Sequence, residues 1–296
     1  MDPTIEVPGP WQHRNVAANG ARFHVAECGH GPLVLFLHGF PEFWWAWREQ
    51  LPALAGAGFR AVAMDLRGYG SSDKTPRGYD PATLAADVVG VIRSLGARDA
   101  ALVGQGWGGY IAWAVASMHP GFVRSLVPVA ATHPLHLRRL LRSPRLARHL
   151  LGMQVPWVPE RRIRAHEARY VEHLLTAWSA PGSAFPDPEA ARRYRAAMSL
   201  WPSPHCALEY HRWVMRSRLR ADGRRFAAAM RSPVRAPVLQ VLGGQDAVVP
   251  RSATRLARSL ATGPRELAVL EPAGHFPHEE CPQEFTATLL DWLTAR

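Results

Sequence analysis

Asp246, in "GGQDAVVP", and His275, in "PAGHFPHEECP", each follow a short apolar run near the end of the chain. A histidine accepts a proton readily near neutral pH. An acid at its other ring nitrogen fixes the tautomer and stabilises the imidazolium that forms. Upstream, "LVGQGWGGY" (102–110) reads as a buried strand, a tight glycine turn and a helix. Small residues at Gly104, Gly108 and Gly109 leave room for a sharp strand-to-helix crossing, the kind of turn that lifts a nucleophile into the open. The residue at the tip, however, is Gly106, which has nothing to attack with. A fourth stretch, "HGFPEFWWAW", turns at His38 and Gly39 and has its exit fixed by Pro41. Such a turn can aim the Phe40 N–H at an anion forming above a sheet.

Chemistry of this kind needs a scaffold that brings distant strand ends together. The first half of the chain alternates strand and helix. Strands are expected at "FHVAECG", "LVLFLHG" (33–39), "RAVAMD" (60–65), "DAALVG" and "SLVPVAA" (125–131). Helices are expected at "WWAWREQLPALAGAG", at "DPATLAADVVGVIRSLG" with Asp80 as cap and Pro81 in its first turn, and from Trp107 onward. After about residue 234 the alternation resumes with strands "PVLQVLGG" (237–244) and "RELAVLE" and helices "RSATRLARSLA" and "PQEFTATLLDWLTAR". This pattern implies an α/β core, residues 1–133 and 234–296, with a mostly parallel sheet and helices on both faces. Residues 134–233 show only helical, Arg-rich stretches and read as a lid over the carboxyl ends of the strands, where ligands bind in such sheets.

The charge is as uneven as the pattern. The net charge is +11, yet residues 134–233 hold 19 arginines against seven acids, while the remainder is nearly neutral. A solvated helical face accounts for this, and so does a surface for an acidic partner or anionic membrane. No nucleic-acid motif accompanies the charge. Cys28, Cys206 and Cys281 are spaced for neither zinc nor a disulfide framework, so a reducing cytoplasm is the expected setting. No apolar leader or membrane-spanning run is evident. His278, Glu279 and Glu280 read as a turn and helix start rather than metal ligands, and no cofactor motif is seen. Ser71 and Ser72 read as turn formers, and Trp44, Trp45 and Trp47 as core residues of which one or two could line an apolar pocket.

The order elbow, Asp, His, together with "HGFPEFWWAW", "DLRGYGSSDK" and "GHFPHEE", resembles the α/β-hydrolase superfamily over nearly the whole chain, in particular the epoxide hydrolases and their haloalkane dehalogenase relatives. The resemblance implies the α/β-hydrolase fold, with an eight-stranded sheet and a helical lid. It implies His275 as base, Asp246 as its orienting acid, and the N–H groups of Phe40 and Trp107 as an oxyanion hole. In that family an elbow aspartate attacks an epoxide carbon to form an ester, which water activated by the histidine then hydrolyses. Two lid tyrosines bond the opening epoxide oxygen. Here the nucleophile's position is Gly106. In "ALEYHRW" His211 stands at one tyrosine's position with Tyr210 beside it, and in "GMQVPWVPE" Met153 stands at the other. Tyr170 and Tyr194 are candidate replacements, although both also read as helix-surface residues. His38 and Trp44 are expected near the substrate, His38 chiefly as a shaper of its turn.

Three functions fit this reading. The protein is a degenerate hydrolase binding a small apolar ligand between core and lid. Alternatively, it hydrolyses epoxides or esters with water activated directly by His275 and Asp246, a water filling the space at Gly106. In the third, the basic lid is a docking surface.

Overall fold

The computed structural model describes residues 4–136, 144–217, 220–254 and 259–295. Eight strands form one sheet: β1 Gln12–Ala18, β2 Ala21–Cys28, β3 Leu33–Leu37, β4 Arg60–Met64, β5 Ala100–Gln105, β6 Val123–Val129, β7 Val238–Gly243 and β8 Arg265–Leu270. Their order across the sheet is β1-β2-β4-β3-β5-β6-β7-β8. The first two form an antiparallel edge, and from β4 to β8 all neighbours run parallel. The sheet is therefore the mostly parallel, eight-stranded one expected. Strand β1, "QHRNVAA", is an addition: its burial alternates irregularly and its apolar content is low, so no pattern marks it, and β2 supplies the partner that orders it.

Among the described residues the helices are α1 Gln50–Gly56, α2 Pro81–Ser94, α3 Trp107–Met118, α4 Pro144–Gly152, α5 Val158–Trp178, α6 Pro188–Ser199, α7 Ser203–Arg216, α8 Ala221–Ala229, α9 Arg251–Thr254, α10 Pro277–Glu280 and α11 Pro282–Thr294. Helix α2 starts as its sequence dictates, with Asp80 accepting from the Thr83 N–H at 3.0 Å and Pro81 in the first turn. The stretch expected as one helix from Trp44 instead forms a short 3-10 turn, Trp44–Trp47, and then α1. The break follows from Asp65, buried at the end of β4, whose carboxylate accepts from the Trp44 N–H at 2.9 Å, the Ser71 N–H at 2.9 Å and the His24 imidazole at 2.8 Å. Burial alone would raise the Asp65 pKa, but the hydrogen bond and charge of His24 outweigh it and hold the carboxyl below its ordinary value. Of the helix expected at "RSATRLARSLA", Arg251–Thr254 is helical, residues 255–258 lie outside the described residues, and 259–261 form a turn and a bridge to Val234 instead.

Between β6 and β7 the described residues of 144–229 form helices α4 to α8. Helix α5 is broken where His166, Glu167 and Ala168 take left-handed backbone angles, with φ of 51°, 55° and 58°. Lid and core are joined by buried polar contacts. Tyr194 of α6 donates to the Glu279 carboxylate, which also takes Arg48 at 2.8 Å, and the Tyr210 hydroxyl of α7 donates to the Arg67 carbonyl at 2.7 Å. Among the described residues no helix is long and apolar enough to cross a membrane.

Candidate active site

The parallel register sets strand ends side by side. Leu37 of β3 pairs with Gly104 of β5, so the turn after β3 and the elbow after β5 emerge as neighbours at the carboxyl edge. At the elbow, Gly106 has φ 50° and ψ −113°, an angle pair that L side chains rarely adopt. The other three elbow glycines are required for space. A methyl group on Gly104 would meet the backbone of Gly108 and Gly109, one on Gly108 the Leu37 carbonyl, and one on Gly109 the Ala131 methyl. Gly106 differs: a Cβ there would lie 3.8 Å from the Gly39 Cα and 3.8 Å from His275 Nε2, ordinary contact distances. The space at the tip is open, and His275 faces it. Gly108→Ala is therefore expected to cost at least about 2–3 kcal/mol through overpacking against fixed backbone. Gly106→Ala should cost only about 1 kcal/mol from the positive φ. Thermal melts of the two variants check this ordering.

His275 is held on every side. In its neutral form Nδ1–H donates to Asp246 Oδ2 at 3.0 Å, which leaves Nε2 the unprotonated nitrogen, directed at the tip. Asp246 Oδ1 accepts from the N–H groups of Val248 (2.7 Å) and Val249 (2.9 Å), which fix the carboxylate. Burial acts to lower the His275 pKa, but the charge and hydrogen bond of Asp246 outweigh it, and the imidazole sits above its ordinary value. The backbone of the loop is pinned as well. The His275 N–H donates to the Trp178 carbonyl at 2.9 Å, and its carbonyl accepts from Gln105 Nε2 at 3.0 Å. Glu280 accepts from the N–H groups of Gly274, Phe276 and Ala180 at 3.0, 3.0 and 2.8 Å. Glu280 is thus a positioning residue that the sequence hid inside what reads as a helix start. Gln105 serves the same loop from the other side.

A cavity of about 80 Å³ lies above Gly106, lined from the core by Phe40, Trp107, Tyr110, Thr132 and His275 and from the lid by His149, Trp178 and His211. That is room for several waters or one small molecule. Most of its wall is apolar. The Phe40 and Trp107 N–H groups have no hydrogen-bond acceptor among the described residues, as an oxyanion hole requires.

The lid's polar contribution is two imidazoles. The His211 Nδ1–H donates to the Ala207 carbonyl at 3.0 Å, so its Nε2 is an acceptor, and it takes the Trp107 Nε1–H at 3.1 Å. His149 Nε2 lies 3.3 Å from that same nitrogen. That nitrogen's single lone pair is already taken by Trp107, so the contact does not fix the His149 tautomer, and His149 Nδ1 is buried without a partner among the described residues. Burial first, then other effects including the charge of neighbouring His211, depresses His149 well below its usual value, and burial lowers His211 to about 4. Both rings are neutral at neutral pH.

Five expected site residues meet here: His275, Asp246, Gly106, Phe40 and Trp107, with His211 joining them from the lid. Four others do not. Tyr210 spends its hydroxyl on the Arg67 carbonyl and packs against Tyr69. Met153 lines a separate lid groove; it sits one helical turn beyond His149, which is the residue that reaches the cavity. His38 is buried with Nδ1–H on the Gly39 carbonyl (2.8 Å) and Nε2 accepting from the Leu66 N–H (3.0 Å), so both ring nitrogens serve its turn. Trp44 is fully buried, its Nε1–H on the Ile5 carbonyl at 2.8 Å, and lines no part of the cavity. Tyr170 lines the same groove as Met153, and Tyr194 is buried at the lid–core contact rather than on a helix surface. His149 and Trp178 were missed. A four-residue step back from Met153 along an amphipathic helix is the signal that finds His149. Ser72 bonds the Asp65 carbonyl and the His24 N–H and is structural. Among the described residues no cluster of His, Cys, Asp and Glu could hold a metal ion.

The alpha/beta hydrolase fold family matches residues 32–282. The AB hydrolase superfamily protein YfhM of Bacillus subtilis is 30% identical over 288 residues, 94% of this chain and 96% of that protein. Epoxide hydrolase A of Mycobacterium tuberculosis is 29% identical over 316 residues, covering 95% of this chain and 97% of its own. Among solved structures, an epoxide hydrolase from an endophytic Streptomyces superposes with a TM-score of 0.85 at 28% identity, covering 97% of this chain and 96% of its own. Epoxide hydrolase A from Mycobacterium thermoresistibile gives 0.81 at 27% identity, covering 96% and 98%.

Proposed function

The chain belongs to the alpha/beta hydrolase fold family, among its epoxide hydrolase-like members, and from that premise we propose that it hydrolyses small apolar esters with water that His275 activates directly above Gly106. The observation that carries this reading is the open tip: a Cβ at Gly106 would stand 3.8 Å from the free Nε2 of His275, so the space of a missing side chain borders the base.

In the family's two-step chemistry, the second step is hydrolysis of an ester. Water attacks the acyl carbon, His275 takes its proton, and the oxyanion rests on the Phe40 and Trp107 N–H groups. This reading is supported by the 3.0 Å Asp246–His275 contact, which favours the tautomer with Nε2 free, and by the Phe40 and Trp107 N–H groups beside it. The first step is not provided for. Gly106 supplies no nucleophile, and in-line epoxide opening needs a proton donor across the cavity, where His211 has both ring nitrogens committed and no hydroxyl among the described lid residues lines the wall. An external ester whose carbonyl occupies the vacated position uses what remains. The attack gives a tetrahedral oxyanion; its collapse expels the alkoxide, which takes back the proton from the His275 imidazolium and leaves a carboxylic acid and an alcohol.

The degenerate reading, a binder of a small apolar ligand, draws support from the apolar wall and the loss of both lid hydroxyls from the cavity. A substrate panel separates the two. Hydrolysis of p-nitrophenyl acetate and butyrate above the buffer rate, with no diol from styrene oxide, is expected. If neither substrate is consumed while a small apolar ester still raises the melting temperature, the protein is a binder.

A further inference from the structure

Four large apolar side chains lie exposed within eight residues of the α4–α5 junction: Leu151 (60%), Val155 (46%), Trp157 (74%) and Val158 (60%). Trp157 is the extreme case, a bulky residue with φ 65° whose ring is left in solvent. A groove runs beside it, lined by Arg148, Met153, Val155, Val158, Arg162 and Tyr170, and it shares His149 and Trp178 with the catalytic cavity. The charges around these apolar groups have one sign. Arg148, Arg161, Arg162 and Arg164 are exposed, and Arg164 lies over the ring of Trp201, which is itself 55% exposed. The single acid between residues 144 and 166, Glu160, is buried against Arg212 at 2.7 Å, and the next, Glu167, pairs with Arg195 at 3.1 Å.

Exposed tryptophan and aliphatic groups ringed by unopposed arginines form the combination that settles into the headgroup region of a charged bilayer. We propose that this face of the lid docks on an anionic lipid surface, with the groove beside the catalytic cavity against the lipid. The apolar groups enter the boundary between headgroup and acyl chain, and the arginines meet lipid phosphates. Charge complementarity selects this occupant: Arg148 and Arg162 line the groove and Arg161 and Arg164 are exposed beside Arg162 in the chain, a single-sign set that an apolar protein partner would not call for.

The test is co-sedimentation of the full chain with phosphatidylcholine vesicles, with or without about 30% phosphatidylglycerol. Binding to the anionic vesicles, weakening as salt is raised to about 0.5 M, is expected, with none to phosphatidylcholine alone. Replacing Arg161, Arg162 and Arg164 together by Gln should weaken it about 100-fold. Trp157→Ser, a change at an exposed site, should also weaken it, and melting curves show that both variants stay folded. Equal binding to both vesicle types, binding unchanged in the variants, or no binding overturns the proposal. So does a chain that ignores vesicles but elutes as a dimer broken by Trp157→Ser, which would make this face a self-association surface. Sedimentation does not depend on turnover, so this outcome is independent of the esterase reading.

Discussion

Replacing His275 by alanine is expected to lower kcat for ester hydrolysis by about 10²- to 10⁴-fold, the usual contribution of a positioned general base. Nothing else at the cavity can substitute. His211 has both ring nitrogens committed, and His149 and His211 are depressed in basicity by burial. Asp246→Asn should come close to the same loss, because an amide presents Nδ1 with an N–H donor where the carboxylate is an acceptor, and so favours the wrong tautomer. The pH dependence has a definite sign. His275 works as the neutral base, so the rate is present above its pKa and is lost as pH falls through it. Asp246 holds that pKa above 6.5 despite burial, so the rising limb of kcat should have its midpoint above 6.5. A midpoint below it would mean that Asp246 does not face the imidazole during turnover.

The second large effect is at Gly106. Gly106→Asp restores the family's nucleophile in a position where its Cβ meets nothing closer than 3.8 Å. The positive-φ backbone costs a side chain there about 1 kcal/mol, in a turn whose shape is already set. The variant is expected to lose about 10²-fold in ester hydrolysis, since the carboxylate fills the space of the acyl group and water. With styrene oxide it should give no diol by itself, because the lid still lacks a donor. Adding His211→Tyr places a hydroxyl where Trp107 and His211 now meet, and the double variant should form diol through an alkyl-enzyme ester visible as a mass increase on the chain. Diol from Gly106→Asp alone would show that His149 or the Tyr110 hydroxyl already supplies the donor.

How much of this was legible in the sequence differs from element to element. The strands with continuous apolar runs, β3 to β7, announce themselves because they are buried on both faces or nearly so. The elbow and Asp246 were legible because each sits next to such a strand, and His275 because its own motif follows β8, an edge strand with a weaker pattern. β1 was not, since an edge strand with polar faces takes its order from its neighbour. The lid was the poorest guide. There a shift of one helical turn separates Met153 from His149, and a neighbouring tyrosine, Tyr210, points into the core instead of the cavity. Periodicity fixes which residues share a face but not which of them lies nearest the strand ends. The support behind His275 was also hidden: Gln105 and Glu280 act through backbone hydrogen bonds, which leave no residue pattern.

The central claim is that water attacks substrate directly and that no part of the chain is acylated. Stopped-flow release of nitrophenolate from p-nitrophenyl butyrate, followed from the first turnover, tests it most directly. Direct attack predicts release that is linear from mixing, at a rate that His275→Ala removes. A burst approaching about one equivalent per chain before the linear phase would contradict it, because some side chain would then be taking the place that Gly106 leaves open.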